Sequence, residues 1–163
     1  MSTTTSILKM NRGIAAMAIV AGALLAAPAT AEAGSCPPQH VTNTGQKPGP
    51  SAHKGVTDKI LNMIPLAQEK VGLKQHSLRL RRLVIQPGGI VAWHDHGDRP
   101  AIIYIISGTI SEYSSHCAVP IVHHAGDSTP ESGGLMHWWR NNSKRPVVLL
   151  SADLLHDHSD TNM

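Results

Sequence analysis

The sequence predicts an all-β protein, either a sandwich or a closed barrel of short antiparallel strands. Among its 163 residues, 14 are glycine and 11 are proline, and turn signals recur about every ten residues between short apolar segments. The formal net charge is only +3, and the Lys and Arg residues form no basic patch, so we expect no nucleic-acid partner. The chain also contains 11 histidines, which suggest a metal site.

The strands are predicted from the spacing of apolar residues. Residues 77–86 begin with alternating apolar and basic side chains, which indicates a half-buried strand whose solvated face carries Arg79, Arg81 and Arg82. A turn at residues 87–89 separates this strand from the next one. The remaining predicted strands cover residues 90–96, 101–107, 109–114, 120–124, 136–141 and 146–155.

Two segments carry further expectations. The run at residues 101–107 is rich in isoleucine and suits a strand that is buried on both faces. Residues 60–64 are followed by a proline and fit either a short strand or one helical turn.

The N-terminal segment, residues 1–33, has the pattern of a secretory signal peptide. Lys9 and Arg12 precede an uncharged apolar run at residues 14–27, and two overlapping Ala-x-Ala sequences follow it. The run is shorter than the ~20 residues that a membrane span needs. We therefore expect an exported protein, periplasmic or secreted, that has no membrane association after cleavage.

The mature chain is predicted to begin with a leader and to contain one domain. Residues 34–55 are rich in Pro, Gly, Ser and Thr, which predicts an extended or mobile leader before a β-barrel domain at residues 56–155. Residues 156–163 form a polar tail. Cys36 and Cys117 are an even pair, which favours a disulfide in an oxidising compartment, while two separate thiols remain the alternative.

Three histidines are candidates for one metal site. His94 and His96 are two residues apart in a predicted strand, so both imidazoles face the same side and can reach one ion. His137 lies in a later predicted strand and supplies a third imidazole. The alternative is a set of histidines that line the interior and form hydrogen bonds without a metal. His123 and His124 are adjacent, so at most one of them faces the interior.

These residues fall into two motifs that resemble those of the cupins. The matching residues are, in order, Gly88, His94, His96 and Gly108, then Gly126, Gly134, His137 and Asn141. Ser132 stands where the second cupin motif has a proline. The resemblance covers about residues 78–155 and implies a small antiparallel jelly-roll β-barrel that is often dimeric. It also implies that His94, His96 and His137 are metal ligands that point into the barrel.

One position departs from the cupin pattern. Where the first motif carries a glutamate ligand, this chain has Ala101. The remaining three imidazoles resemble the site of thiol dioxygenases in the same superfamily. One divalent transition metal, either Fe, Cu, Zn, Ni or Mn, suits such a site. Asp98, Glu112 and Glu131 are the candidates for a substitute carboxylate.

Three functions are compatible with this pattern. The first is a metal-dependent, dioxygenase-like enzyme that acts on a small molecule. The second is a protein that binds a metal or a small molecule without turnover, and the third is a metal-free cupin. Because cupins host unrelated chemistries, the resemblance does not choose among the three. The expected partners are a small-molecule ligand or substrate and, from the resemblance, a second copy of the chain in a homodimer.

Overall fold

The computed structural model of the chain describes Met1 and residues 34–156. Apart from Met1, the predicted signal peptide lies outside the described residues, as do residues 157–163 of the predicted tail. The described part forms one 3-10 helix, Pro38–His40, and an 8-stranded sheet. The strands are β1 (Lys54–Pro65), β2 (His76–Asp95), β3 (Ala101–Ser107), β4 (Thr109–Ser114), β5 (Ile121–His124), β6 (Ser128–Glu131), β7 (Met136–Arg140) and β8 (Val147–His156).

The strands form one curled antiparallel sheet. Their order is β5-β4-β7-β2-β8-β3-β6, and β1 pairs with β2 outside this path. This arrangement confirms the predicted all-β, antiparallel class. Within the described ranges, the chain has no helix that is both long and apolar enough to cross a bilayer.

β2 is one continuous strand where the sequence predicted two strands and a turn. It pairs with β8 as far as Ile85 and with β7 from Ile90 onward. Gly88, which has a φ of 71°, lies between these two pairings. A positive φ costs glycine little, so β2 can change its pairing partner here without leaving the sheet. As a result, a single strand carries both Arg81 and His94.

The first half of β2 faces the opposite way from the prediction. Arg79 and Arg81 are 3% and 2% exposed, whereas Leu78 is 46% exposed. The two arginines share their parity along the strand with Leu83, which belongs to the hydrophobic core. Because this face of the strand is buried further along, both arginines are buried as well. The prediction that they lie on a solvated face is therefore wrong. Arg82 is exposed, as predicted.

The barrel interior is packed with apolar side chains. The buried cluster comprises Leu83, Ile85, Val91, Ala101, Ile103, Ile105, Ile110, Trp139, Val147 and Leu149. β3 contributes to this cluster from one face, while Ile102, Tyr104 and Ile106 on its other face are exposed. The expectation of a strand buried on both faces is therefore wrong, because in the described part of the chain the outer face of β3 is open to solvent.

Residues 34–55, predicted as an extended or mobile leader, are attached to the barrel. Cys36 and Cys117 form a disulfide, which confirms the pairing that the cysteine count favoured. Val41 also forms a β-bridge with Cys117. The first strand begins within this segment, and residues 60–64 belong to it, so the alternative of a helical turn there is wrong.

Candidate metal centre

Four side chains of ligand type converge inside the barrel. His94 lies in β2, His137 in β7 and Glu131 in β6, and His96 follows directly after the end of β2. His94 and His137 are direct partners in the β2–β7 ladder, so their side chains leave neighbouring strands on the same face. All four residues are buried, and one ligand atom from each lies within 4.8 Å of the others. We call these four residues the ligand group.

The atoms that converge are the Nε2 nitrogens of the three histidines and the carboxylate of Glu131. His137 Nε2 lies 3.1 Å from His96 Nε2 and 3.2 Å from His94 Nε2. Glu131 Oε2 lies 3.0 Å from His96 Nε2, and Glu131 Oε1 lies 3.4 Å from His137 Nε2. The group thus contains the three histidines that the sequence singled out, and Glu131 joins them.

The opposite ring nitrogens show how two of these histidines are oriented. His94 Nδ1 lies 2.8 Å from the carbonyl oxygen of Ala92, and His96 Nδ1 lies 2.8 Å from the carbonyl oxygen of Arg99. A carbonyl oxygen can only accept, so each Nδ1 carries a proton and donates it. In a neutral imidazole the Nε2 then holds a lone pair. Burial is the main reason that the pKa of His94 falls to about 2, so this ring is neutral at pH 7.

His137 is oriented by a buried carboxylate. Its Nδ1 donates to Glu112 Oε1 at 2.8 Å, and His123 Nε2 donates to Glu112 Oε2 at 2.8 Å. Burial raises the pKa of Glu112, but the hydrogen bonds from the two histidines outweigh it and lower the pKa to about 2. His123 is fully buried and stacks on Trp139 with ring centroids 4.6 Å apart. It therefore lies behind His137 and outside the ligand group, whereas His124 is exposed.

The ligand group fits a divalent transition metal. Three imidazole nitrogens and one carboxylate are the donors that such ions accept. Within the described chain, Glu131 Oε1 is buried and has no hydrogen-bond partner, which is costly unless a cation neutralises it. Burial lowers the pKa of His137, but Glu131 and Glu112 outweigh this effect and raise it. A metal ion therefore competes with a proton at His137 Nε2.

The carboxylate that the first motif lacks comes from the neighbouring strand. Ala101 is paired directly with Glu131 in the β3–β6 ladder and with Asp153 in the β3–β8 ladder. Glu131 therefore occupies the same cross-strand row as the position where cupins carry their glutamate. Of the other two candidates, Glu112 contacts His137 from behind, and Asp98 is exposed and outside the group.

A narrow cavity adjoins the ligand group. Its volume is about 20 Å³, which admits a group of only a few atoms. Its polar lining consists of His94, His96, Glu131, Arg81 and Ser151, and its apolar lining consists of Leu83, Val91, Ile103, Trp139 and Leu149. A ligand in this cavity would therefore lie between the ligand group and the buried arginine.

A second buried polar group lies beside this cavity. Arg79 binds both oxygens of Asp153, with Nε–Oδ1 at 2.9 Å and Nη2–Oδ2 at 2.7 Å. Arg81 Nη2 and Arg99 Nη1 lie 3.2 Å and 3.4 Å from Asp153 Oδ2, and Arg81 Nη1 donates to Asp58 at 2.6 Å. Burial lowers the pKa of Arg81, and Asp153 and Asp58 counteract this effect. We call the three arginines and Asp153 the arginine group.

Comparisons with known proteins identify the type of domain that carries this site. The family profile described as the cupin domain matches residues 81–153. A predicted oxalate decarboxylase from Thermotoga maritima is 19% identical, with a TM-score of 0.51, and the match covers 71% of this chain and 97% of that chain. No curated protein matches the sequence.

Two further solved structures are similar to this chain. The Cnp3 cupin domain of Schizosaccharomyces pombe is 13% identical, with a TM-score of 0.49, and the match covers 61% of this chain and 64% of that chain. The cupin domain of a transcriptional regulator from Enterobacter cloacae is 17% identical, with a TM-score of 0.46, and the match covers 61% of this chain and 96% of that chain. Of the three structures, only the Thermotoga maritima protein has a TM-score above 0.5, and at 19% identity it indicates the fold alone. The family match shows that residues 81–153 of the chain form a cupin domain, and the curled antiparallel sheet agrees with this assignment.

Proposed function

We propose that this cupin is a metal-dependent enzyme that acts on a small molecule. One observation carries the proposal: three Nε2 nitrogens and the Glu131 carboxylate converge within 4.8 Å in a buried site. At two of the histidines a backbone carbonyl orients the ring, and at His137 the carboxylate of Glu112 does so. Four protein ligands leave coordination positions free on an ion that prefers six ligands, and the cavity lies beside them.

The residues around the ligand group have separate tasks in this proposal. The bound metal would supply a Lewis acid or a redox centre. Glu112 holds the His137 ring in one tautomer and orientation, which is the usual task of a carboxylate behind a ligating histidine. Trp139 and its apolar neighbours in the cavity wall keep bulk water away from the reacting group.

Elemental analysis tests the metal part of the proposal. The protein is purified without a His tag from the exported fraction, and the metal content per chain is measured by mass spectrometry. We expect one divalent transition ion per chain in the wild type and in His124→Ala, whose histidine is exposed. The ion should be lost in His94→Ala and in His137→Ala. Equal metal content in all four proteins would reject the site.

Turnover is the second part of the proposal and needs its own measurement. The metal-loaded protein is screened for dioxygen consumption and for product formation with a panel of small organic acids and thiols. The small cavity favours a second candidate, which is metal binding without turnover, because a space of about 20 Å³ holds only a small group. Tight stoichiometric metal binding with no reaction across the panel would support that candidate.

We also propose that the protein is exported to the periplasm or the medium. The signal-peptide pattern of residues 1–33 supports this proposal, and so does the disulfide between Cys36 and Cys117, since such bonds persist in oxidising compartments. The N-terminal peptide of the exported protein should begin directly after Ala31 or Ala33. An intact N-terminus in the cytoplasmic fraction alone would contradict export. The homodimer and the absence of a nucleic-acid partner stay predictions.

A further inference from the structure

One residue that lines the cavity beside the ligand group, Arg81, has a buried N–H without a partner among the described residues. Arg81 lines the cavity, and its side chain is 3% exposed. Its Nη1 donates to Asp58, and its Nη2 donates to Ser151 at 3.3 Å and to Asp153 at 3.2 Å. Its Nε is buried and has no hydrogen-bond partner among the described residues. A buried N–H without an acceptor is costly, so this atom would gain from a bound acceptor.

The charge around the cavity favours an anion as that acceptor. The arginine group brings three guanidinium groups to one buried carboxylate, Asp153, and Asp58 is the second carboxylate that Arg81 contacts. His94, His96 and Glu131 also line the cavity, and a metal held by the ligand group would carry two positive charges against the single charge of Glu131. Most of the remaining wall is apolar, so these charges act through a poorly screening medium.

We propose that the cavity binds a small carboxylate. One carboxylate oxygen accepts a hydrogen bond from Arg81 Nε, and the other oxygen points toward the ligand group. This inference rests on the proposed metal-dependent function and names the substrate class for the same site. A carboxylate suits the space, because it is planar, has only three heavy atoms and accepts charge-assisted hydrogen bonds from guanidinium groups. The apolar wall leaves room for only a short remainder of the molecule.

The experiment uses zinc-loaded protein that is labelled with ¹⁵N in arginine, and it follows the Arg81 Nε–H resonance during titration with formate. That resonance is identified by its absence from Arg81→Lys. We expect formate to shift it and to bind with a measurable dissociation constant in calorimetry. Formamide, which is neutral and of similar shape, should do neither. No shift with formate, or an equal shift with formamide, would overturn the inference.

Variants give an independent measure of the same contact. Arg81→Gln should weaken formate binding about tenfold or more, since it removes a charge-assisted hydrogen bond. Arg82→Gln removes the same charge from the exposed neighbour and should bind formate as the wild type does. Unchanged formate affinity in Arg81→Gln would reject the proposal. If that variant does not fold, Arg81→Lys replaces it, and the resonance of the wild-type protein decides the question by itself.

Two further measurements distinguish a failure of the proposed metal function from a failure of the carboxylate inference, and a free small anion from a longer substrate. Zinc affinity should be the same in the wild type and the Arg81 variants, because Arg81 is outside the ligand group. A protein that binds none of zinc, iron, copper, nickel and manganese refutes the proposed function, and the formate titration of that metal-free protein then decides the arginine contact alone. Binding that weakens from formate to acetate to pyruvate would identify a free small anion. Tighter binding of pyruvate would identify the carboxylate end of a longer substrate.

Discussion

The ligand group and the arginine group share the interior of one barrel but differ in how their polar atoms are paired. In the arginine group, guanidinium donors surround Asp153, which is fully buried and accepts from Arg79 at 2.7 Å and 2.9 Å. In the ligand group, imidazole lone pairs and the Glu131 carboxylate face one another, and Glu131 Oε1 has no hydrogen-bond partner in the described chain. Burying charge costs free energy unless the charge is paired. The arginine group is therefore paired within the described chain except at Arg81 Nε, whereas the ligand group is one that a cation completes.

The largest expected effect comes from breaking the arginine group. Asp153→Asn should lower the free energy of unfolding of the metal-free protein by about 3–5 kcal/mol, because buried guanidinium groups lose their shared counter-charge. Glu131→Gln should lower the same quantity much less, since Glu131 Oε1 has no hydrogen-bond partner in the described chain and the carboxylate faces only imidazole nitrogens at 3.0 and 3.4 Å. Urea denaturation, read by tryptophan fluorescence, measures both variants. Equal destabilisation by the two substitutions would contradict the distinction between the groups.

Moving the carboxylate between strands tests the ligand group. Glu131→Ala should lower metal affinity by roughly a hundredfold or more, measured by competition with a chelator. The double variant Glu131→Ala with Ala101→Glu should recover much of that loss, because the new carboxylate lies in the same cross-strand row.

The single substitution Ala101→Glu is the matched control for this exchange. It places a third carboxylate between Glu131 and Asp153 in one row, so it should destabilise the protein and should not strengthen metal binding. If the double variant binds metal as weakly as Glu131→Ala alone, then a carboxylate at residue 101 cannot replace the one at residue 131, although both residues lie in the same cross-strand row.

A smaller effect is expected from the carboxylate behind His137. Glu112→Gln should lower metal affinity about tenfold to a hundredfold, because the amide fixes the tautomer and charge of His137 less well. His123→Gln changes the other partner of Glu112 and should weaken metal binding less. The same chelator competition measures both variants. A greater loss in His123→Gln would place His123 closer to the metal than Glu112.

The smallest effect is expected from Ser151, which accepts a hydrogen bond from Arg81 of the arginine group. Ser151→Ala removes one hydrogen bond to Arg81 of 3.3 Å and should lower the free energy of unfolding by about 1 kcal/mol. Metal affinity should not change, since the Ser151 hydroxyl bonds to Arg81, which is outside the ligand group. Thermal and urea unfolding, together with chelator competition, test both statements. A marked loss of metal affinity would link the two groups energetically.

Much of the fold and part of the site could be predicted from the sequence. Strand alternation placed His94 and His96 on one face, and the second motif added His137, because such local patterns determine which side chains share a face. Glu131 could be named only as one of three candidates. Its strand, β6, is four residues long and contains a proline, so it carries no strand signal of its own.

The buried arginines were beyond the reach of local patterns. Alternating apolar and basic residues show that a strand has two different faces, but they do not show which face is buried. The segment around Arg81 is therefore compatible with the arginines inside or outside. The pairing of β2 with β8, more than sixty residues away along the chain, brings Arg81 opposite Ser151 and fixes the orientation. One signal was present: Asp153 interrupts an otherwise apolar segment and marks an inward position that needs a cationic partner.

The pairing of Ala101 with Glu131 has a consequence for how such proteins change over time. If the proposed site holds an ion, a carboxylate on either of these two paired strands lies in the same cross-strand row beside it. A lineage that carries both glutamates for a while can lose either one, so the two forms of the site are connected by single substitutions. A motif search that requires a glutamate at the position of Ala101 would class this chain as a cupin that lacks the carboxylate. A search that compares residues in the same cross-strand row would find Glu131.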